Sequence, residues 1–385
     1  MFNFIYHNPV KILFGKGMIS ELSHLIPPTS KVMILYGGGS IMKNGVYDQV
    51  KNALKDHKIC EFGGIEPNPY YETLMKAVEL GKKENVDFLL AVGGGSVADG
   101  TKFIAAAIEY KQGDPWDILA RGASVEKALP IGCVLTLPAT GSEMNGNSVV
   151  SKKATQEKLY FNTPLVYPKF SILDPETTFT LPVRQTVNGI VDSFVHVAEQ
   201  YFTFDANTPL QDRQSEAILK TLVEESPKVL KKADDYEARA NIMWCATQAL
   251  NGLIGCGVAQ DWATHMIGHE LTALYGLDHA QTLAVVLPAV LKHQRNHKKQ
   301  KLAQFAQRVW NILLGKEEEE SILAIQKIEE FFASLGIAIR LKQYNIGAEK
   351  FEEIANRLEK RGLKLGEHQN ICKQEVLQIL QLCLE

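Results

Sequence analysis

The chain has 385 residues, 45% of them apolar and 22% charged, with a formal net charge of −3. That length favours two domains, and the composition is that of an ordinary globular protein with ample material for a core. With no excess of either sign, neither nucleic acid nor an anionic membrane is expected as a partner.

The opening stretch, MFNFIYHNPVKILFGKG, lacks the basic-then-apolar order and small-residue cleavage site of a signal peptide. No window approaches the roughly 18 uninterrupted apolar residues that a membrane span needs. The six cysteines are scattered, with no C-x-x-C pair, and read as reduced, mostly buried thiols. A cytoplasmic location is the expectation.

Lys31–Tyr36 (KVMILY) is a strand candidate, followed by the loop Gly37-Gly38-Gly39-Ser40 and a helix near 45–56. Phe88–Val92 (FLLAV) is a second, followed by Gly93-Gly94-Gly95-Ser96 and the helical VADGTKFIAAAIEY. Ile131–Leu137 and Phe170–Leu173 supply further strands. Strand–loop–helix alternation predicts a mostly parallel sheet covered by helices. After Leu181-Pro182 the pattern changes to helical periodicity near 187–203, 211–231, 236–254, 261–275, 280–292, 299–313, 319–335 and 350–361. The expected organisation is an α/β domain over 1–180 and an all-helical domain over 181–385. The basic run Lys292–Lys301 has no interleaved aromatics and reads as a solvated helix face, and Glu317–Glu320 as an acidic helix N-terminus.

Glycines after a parallel strand let backbone approach a phosphate, and the N–H groups of the next helix favour its charge. Gly93 to Ala98 fits G-x-G-x-x-A, although no acidic strand end follows at the usual distance. Two such loops, each after an apolar strand, point to a nucleotide-type ligand. A third loop, Thr136-Leu137-Pro138-Ala139-Thr140-Gly141-Ser142-Glu143, gathers hydroxyls past a strand end and reads equally as a capped helix start.

In the helical half, Asp192 and His196 are four apart within NGIVDSFVHVAEQY and share one helix face. They are either a mutually hydrogen-bonded core pair or part of a metal site, since buried polar groups need partners. His265 and His269 repeat the spacing, and His279 follows after a turn at Gly276. His269-Glu270 begins like the zinc-protease pattern H-E-x-x-H, but the second histidine would be Ala273. His293 and His297 are also four apart, yet cations surround them, so spacing counts only in apolar context. One acid with up to three histidines suits Fe(II) or Zn rather than Mg or Ca.

Together, FGKG (14–17), YGGGS (36–40), GGIEPNP (63–69), AVGGGSVADGTKF (91–103), LTLPATGSE (135–143), LDPETTFTLP (173–182), NGIVDSFVHVAEQY (188–201) and DWATHMIGHELTALYGLDHAQTLAVVLP (261–288) resemble the iron-containing (group III) alcohol dehydrogenases. The likeness is to the butanol dehydrogenase and NADPH-dependent aldehyde reductase branch. It spans nearly the whole chain and is weakest beyond about 290. It implies the dehydroquinate synthase-like fold: an α/β N-terminal dinucleotide-binding domain plus an all-α C-terminal domain, in a homodimer. It places the metal ligands on Asp192, His196, His265 and His279, and His269 beside nicotinamide and substrate as a catalytic group. It places cofactor contacts on Gly37, Gly38, Gly39, Ser40, Asn68, Gly94, Gly95, Ser96, Asp99, Thr136, Thr140, Ser142, Asn145 and Lys158.

NAD-preferring relatives carry an Asp after the first strand, where this chain has Gly38-Gly39-Ser40 with Lys43 nearby. Without that acid to accept a ribose hydroxyl and repel a 2′-phosphate, NADP(H) is expected. The implied reaction is hydride transfer between NADPH and a short-chain aldehyde or primary alcohol, with the metal as Lewis acid. A dehydroquinate synthase-type lyase is the alternative within the same superfamily, but the ligand-bearing segments offer almost no Lys or Arg for a phosphorylated substrate. A non-catalytic, metal-stabilised binding protein would leave both glycine loops unexplained.

Overall fold

The computed structural model describes residues 1–385. Its strands are β1 (Lys11–Phe14), β2 (Lys31–Tyr36), β3 (Lys58–Phe62), β4 (Phe88–Gly94), β5 (Ile131–Leu137), β6 (Asn147–Lys152), β7 (Glu157–Asn162) and β8 (Phe170–Leu173). The helices of the first half are α1 (Leu22–Leu25), α2 (Val46–Ala53), α3 (Tyr71–Glu84), α4 (Gly95–Glu109) and α5 (Asp117–Ala120). Those of the second are α6 (Val183–Tyr201), α7 (Pro209–Lys231), α8 (Tyr236–Ala249), α9 (Ala263–Tyr275), α10 (His279–His293), α11 (Arg295–Trp310), α12 (Glu317–Ser334), α13 (Phe351–Lys360) and α14 (Lys373–Leu382). None is long and apolar enough to cross a membrane.

The chain divides into two compact units. One comprises His7–Pro182 with Lys232–Thr247; the other comprises Met1–Tyr6, Val183–Lys231 and Gln248–Glu385. In the first, six strands form a parallel sheet in the order β1-β8-β5-β4-β2-β3. Alternation across the pleat sends Met33, Leu35, Leu89, Ala91, Ile131 and Cys133 to one face, against Leu74, Phe103 and Ile104 of α3 and α4. Val32, Ile34, Leu90, Val92, Val134 and Ile172 go to the other, against Leu22, Val50 and Leu54. Both faces are covered, so the central strands read as unbroken apolar runs.

Three strand regions carry no such run. β1 and β3 are the two edges of the sheet, and β6 pairs with β7 as a separate antiparallel ribbon. Helix α8 lies in the helical half of the sequence but belongs with the sheet, where Met243 packs on Leu135 and Leu173.

In the other unit, α9, α10, α13 and α14 share a core built on Ile267, Leu271, Val286, Ile354 and Ile379. Gly268 lets α9 approach α10 closely: a Cβ there would stand 3.0 Å from Thr282 Oγ1. The basic run 292–301 is not a solvated face throughout. Lys298 and Lys301 are buried, Lys298 between Asp261 and Glu367 and Lys301 on Asp212, because acids from other segments face them. Glu317–Glu320 does open α12. All six cysteines are free thiols, and four are buried.

Candidate metal and cofactor sites

Helix α6 is buried along nearly its whole length, so each polar side chain on it needs a partner. Asn188, Asp192, His196 and Glu199 fall on one stripe at spacings of four, four and three. Asn188 Nδ2 donates to Asp278 Oδ2 at 2.9 Å. Asp278 is the N-cap of α10, closed by a capping box with Gln281, and His279 is the first residue of that helix. At the other end of the stripe, Glu199 Oε2 is hydrogen-bonded to His265 Nδ1 of α9. The middle of the stripe supplies Asp192 and His196, and its two ends orient the helices that bring the other two histidines.

The three imidazoles converge on one oxygen. Asp192 Oδ1 lies 3.7 Å from His196 Nε2, 3.8 Å from His265 Nε2 and 3.7 Å from His279 Nε2. Ligand atoms of Asp192, His265 and His279 all lie within 4.8 Å of one another, and the His196 ring stacks on His265 with centroids 4.6 Å apart. Bonds of about 2.0–2.2 Å at tetrahedral angles separate ligand atoms by roughly 3.3–3.6 Å, so the cluster is close to the size a divalent ion requires. The donor set, one carboxylate with imidazoles, is that of a transition metal. His265 Nε2 is buried and makes no hydrogen bond, which fits a lone pair kept for an ion.

Burial alone would push His265 down, but the negative charges of Glu199 and Asp192 and the hydrogen bond to Glu199 outweigh it and raise the ring to about 9. Burial pushes the Glu199 carboxyl up, opposed by His265. His269, one turn beyond His265, places its ring centroid 6.2 Å from that of His265 and 5.1 Å from that of His279. It therefore borders the cluster. Its neighbour Glu270 points elsewhere, into ion pairs with Arg357 and Arg361 of the 351–361 segment.

In the sheet unit, the strand order switches sides between the parallel strands β2 and β4: β3 is added on one side, while β5 and β8 are added on the other. Ligands of open α/β sheets bind outside the carboxyl ends of strands at such a switch point. Gly37-Gly38-Gly39 follows β2, whereas Gly93 and Gly94 end β4 and Gly95 begins α4 directly. Gly95 opens α4, and a Cβ there would lie 2.5 Å from Thr140 Cγ2 and Oγ1. Gly94 is similarly tight, with a Cβ 2.9 Å from that of Leu137. Only hydrogen fits at these two positions. Gly37 through Ser40 lie at the end of β2, with Gly38 and Ser40 exposed.

The remaining sheet-unit candidates gather in two clusters. Asn68, at φ 54°, accepts from Lys158 Nζ at 2.9 Å through Oδ1, and its backbone N–H donates to Ser96 Oγ at 3.2 Å. Ser142 donates to Asp99 Oδ1 at 2.6 Å, and Ser142 N–H donates to Thr140 Oγ1 at 3.2 Å. At the centre of this second cluster is Lys102, fully buried, donating to Ser142 Oγ (2.8 Å), Asn145 Oδ1 (3.1 Å) and Asn147 O (2.8 Å). Burial pushes Lys102 down to about 8, with Asp99 resisting. Thr136 lies within β5 and is buried.

Sequence reasoning missed Glu199, Asn188, Asp278, Lys102 and Glu143. Glu199 was findable, since it stands seven residues beyond Asp192 on the same stripe of an otherwise apolar helix. Glu143 is fully buried, accepts from Thr247 Oγ1 at 2.6 Å, and is raised by that burial. Nothing in the TGSE string signals the α8 residue that meets it.

Residues 9–175 match the family model described as iron-containing alcohol dehydrogenase, and residues 186–384 match the C-terminal model of the Fe-containing alcohol dehydrogenase family. The chain is 54% identical to the NADPH-dependent aldehyde reductase YqhD of Escherichia coli (strain K12), over 96% of this chain and 97% of that protein. The crystal structure of E. coli K-12 YqhD superposes with a TM-score of 0.98 at 53% identity, covering 99% of each chain. That of NADH-dependent butanol dehydrogenase A from Thermotoga maritima gives 0.95 at 40% identity, covering 100% of this chain and 99% of that one.

Proposed function

The chain belongs to the iron-containing alcohol dehydrogenase family, and on that premise we propose that it transfers hydride between NADP(H) and a short-chain aldehyde or primary alcohol. The observation that carries this reading is the buried cluster in which three imidazole nitrogens surround Asp192 Oδ1. Asp192, His196, His265 and His279 hold one divalent ion, Fe(II) or Zn, and Asp192 offsets part of its charge. When bound, the ion polarises the substrate oxygen and NADPH supplies the hydride. His269 borders the cluster and either orients the cofactor or passes the alcohol proton on, since an imidazole can give and take a proton.

The dinucleotide is held by Gly37 through Ser40, Asn68, Gly94 through Ser96, Asp99, Thr136, Thr140, Ser142, Asn145 and Lys158, in a domain over 1–180, with the metal domain over 181–385. The missing acid in Gly38-Gly39-Ser40 supports NADPH over NADH, as does 54% identity to a relative named NADPH-dependent. The lyase alternative gains no support: Arg357 and Arg361, two cations beside α9, are committed to Glu270. A cytoplasmic homodimer completes the proposal, and light scattering on the purified chain tests the oligomer.

Butanal reduction by the metal-replete protein, followed with NADPH and with NADH, tests the activity. No turnover with NADPH, or a clear preference for NADH, overturns it. His265→Ala is expected to lose bound metal, and His269→Ala to keep it while slowing turnover. Metal loss from both variants overturns that division of roles.

A further inference from the structure

We propose that Glu199 is a positioning residue that decides which nitrogen of His265 faces the metal, and so how tightly the site holds its ion. The proposal rests on the metal site argued above and concerns a residue outside the ligand set.

Helix α9 begins without a side-chain cap of its own. Its N-cap residue is Trp262, which stands in the left-handed region at φ 63°, ψ 6° and whose side chain caps none of the helix N–H groups. A helix start leaves backbone N–H groups without intrahelical partners, and in a buried setting these must be met from elsewhere. Asp261 Oδ1 takes the N–H of Ala263 at 2.9 Å. Glu199, from another helix, takes the rest. Its Oε1 accepts from Thr264 N at 2.6 Å and from His265 N at 3.4 Å, and its backbone O accepts from Asp261 N at 2.9 Å. Three backbone donors between 261 and 265 therefore end on one residue.

The second carboxylate oxygen does something a cap does not require: Oε2 meets the ring Nδ1 of His265. An ionised carboxylate can only accept, so Nδ1 must carry the hydrogen and donate it. The lone pair of a neutral ring is then on Nε2, the buried nitrogen that makes no hydrogen bond and lies 3.8 Å from Asp192 Oδ1. Ligating histidines held in this way by a carboxylate have their tautomer and ring angle fixed in advance. Since both oxygens belong to one carboxylate, the start of α9 and the facing of its ligand are set together.

Glutamine separates the two roles because an amide has only one acceptor oxygen. With that oxygen on Thr264 N–H the cap survives, but the amide N–H₂ faces Nδ1. The ring must then accept at Nδ1 and carry its hydrogen on Nε2, where the ion should bind. The experiment uses the full chain as wild type, Glu199→Gln and Glu199→Ala, titrated with Co(II) against a chelator and followed by visible absorption. Melting of each metal-free protein is measured alongside.

The expected result is a ten- to hundredfold weaker Co(II) affinity in Glu199→Gln, with an altered Co(II) spectrum. Its metal-free melting temperature should stay near wild type, whereas that of Glu199→Ala should fall. Wild-type affinity and spectrum in Glu199→Gln overturn the proposal. So does an affinity loss with melting as low as that of Glu199→Ala, because collapse of α9 would then explain it. A wild-type chain that takes up no Co(II) overturns the metal reading and this proposal with it, which distinguishes the two failures.

Discussion

Lys298→Met removes the single cation of a buried three-residue cluster. Lys298 Nζ sits 2.8 Å from Asp261 Oδ2, 2.7 Å from Glu367 Oε2 and 2.6 Å from the carbonyl of Phe202. Side-chain exposures are 1% for the lysine, 4% for Asp261 and 3% for Glu367, so solvent cannot screen what remains. Methionine fills most of the volume but leaves two buried carboxylates without a counter-charge. Breaking a buried pair from one side costs about 3–5 kcal/mol. At 2–4 °C per kcal/mol for a unit of this size, the melting transition of the helical unit should fall by roughly 6–20 °C. The assay is differential scanning calorimetry of wild type and variant at matched metal loading. Burial would lower the lysine, but the two carboxylates outweigh it and raise it, so its folded value exceeds the unfolded one of about 10.4. The Lys298 contribution is then fully present below about pH 10.4 and lost only as pH rises through the folded value. The deficit should hold steady from pH 7 to pH 9. Adding Asp261→Asn and Glu367→Gln should restore most of the loss, because no charge then stays buried. A drop under about 3 °C, or no recovery in the triple variant, refutes the reasoning.

Gly38→Asp should turn cofactor preference toward NADH. Gly38 is exposed, a Cβ there meets nothing within 4 Å, and the new carboxylate would repel a 2′-phosphate. We expect the NADPH-to-NADH ratio of kcat/KM to fall at least tenfold, about 1.4 kcal/mol, and an unchanged ratio counts against the assignment of that loop. Gly95→Ala drives a methyl into Thr140, at a cost of about 1–3 kcal/mol, and should weaken NADPH in a fluorescence titration while leaving metal content intact. Wild-type NADPH affinity would show that the loop tolerates the methyl. Lys102, pushed down to about 8 by burial, has a folded value below its unfolded one, so the unfolded chain binds the extra proton between about pH 8 and 10.4. Stability from this group therefore rises with pH across that window. The melting difference between wild type and Lys102→Met should move in favour of wild type there, and a difference flat with pH contradicts the assignment.

The elements legible in the sequence are those whose burial leaves a pattern. β2, β4, β5 and β8 are covered on both faces and show as apolar runs. β1 and β3 are edge strands with partly exposed residues, and the β6–β7 ribbon is largely polar, so none stands out from a loop. The sheet membership of α8 rests on Met243 reaching Leu135 and Leu173, contacts between residues far apart in the chain that periodicity cannot reveal. At the metal cluster, paired spacing in apolar helices was readable, but which atoms meet was not. Glu199 looked like one more helical glutamate, and its role follows from the start of a helix more than sixty residues later. Lys298 misled for the same reason. Its local run is basic and polar, and the acids that bury it come from Asp261 and Glu367.

The order in which the chain visits its two units constrains how the protein can be cut. It begins in the helical unit with Met1–Tyr6, leaves after residue 6, returns after 182, departs again after 231 and comes back after 247. No single scission yields two complete pieces. A fragment ending at Pro182 would retain every strand but lose the helix carrying Met243 and Thr247, leaving Leu135 and Leu173 uncovered and Glu143 without its hydroxyl donor. A fragment starting at Val183 would carry that helix away from its core and lack the N-terminal residue whose N–H bonds Gly257. Each unit completes itself only when a distant stretch of the same polypeptide has been made. Ribosomal synthesis must therefore deliver residue 247 before the core of the sheet unit can be closed.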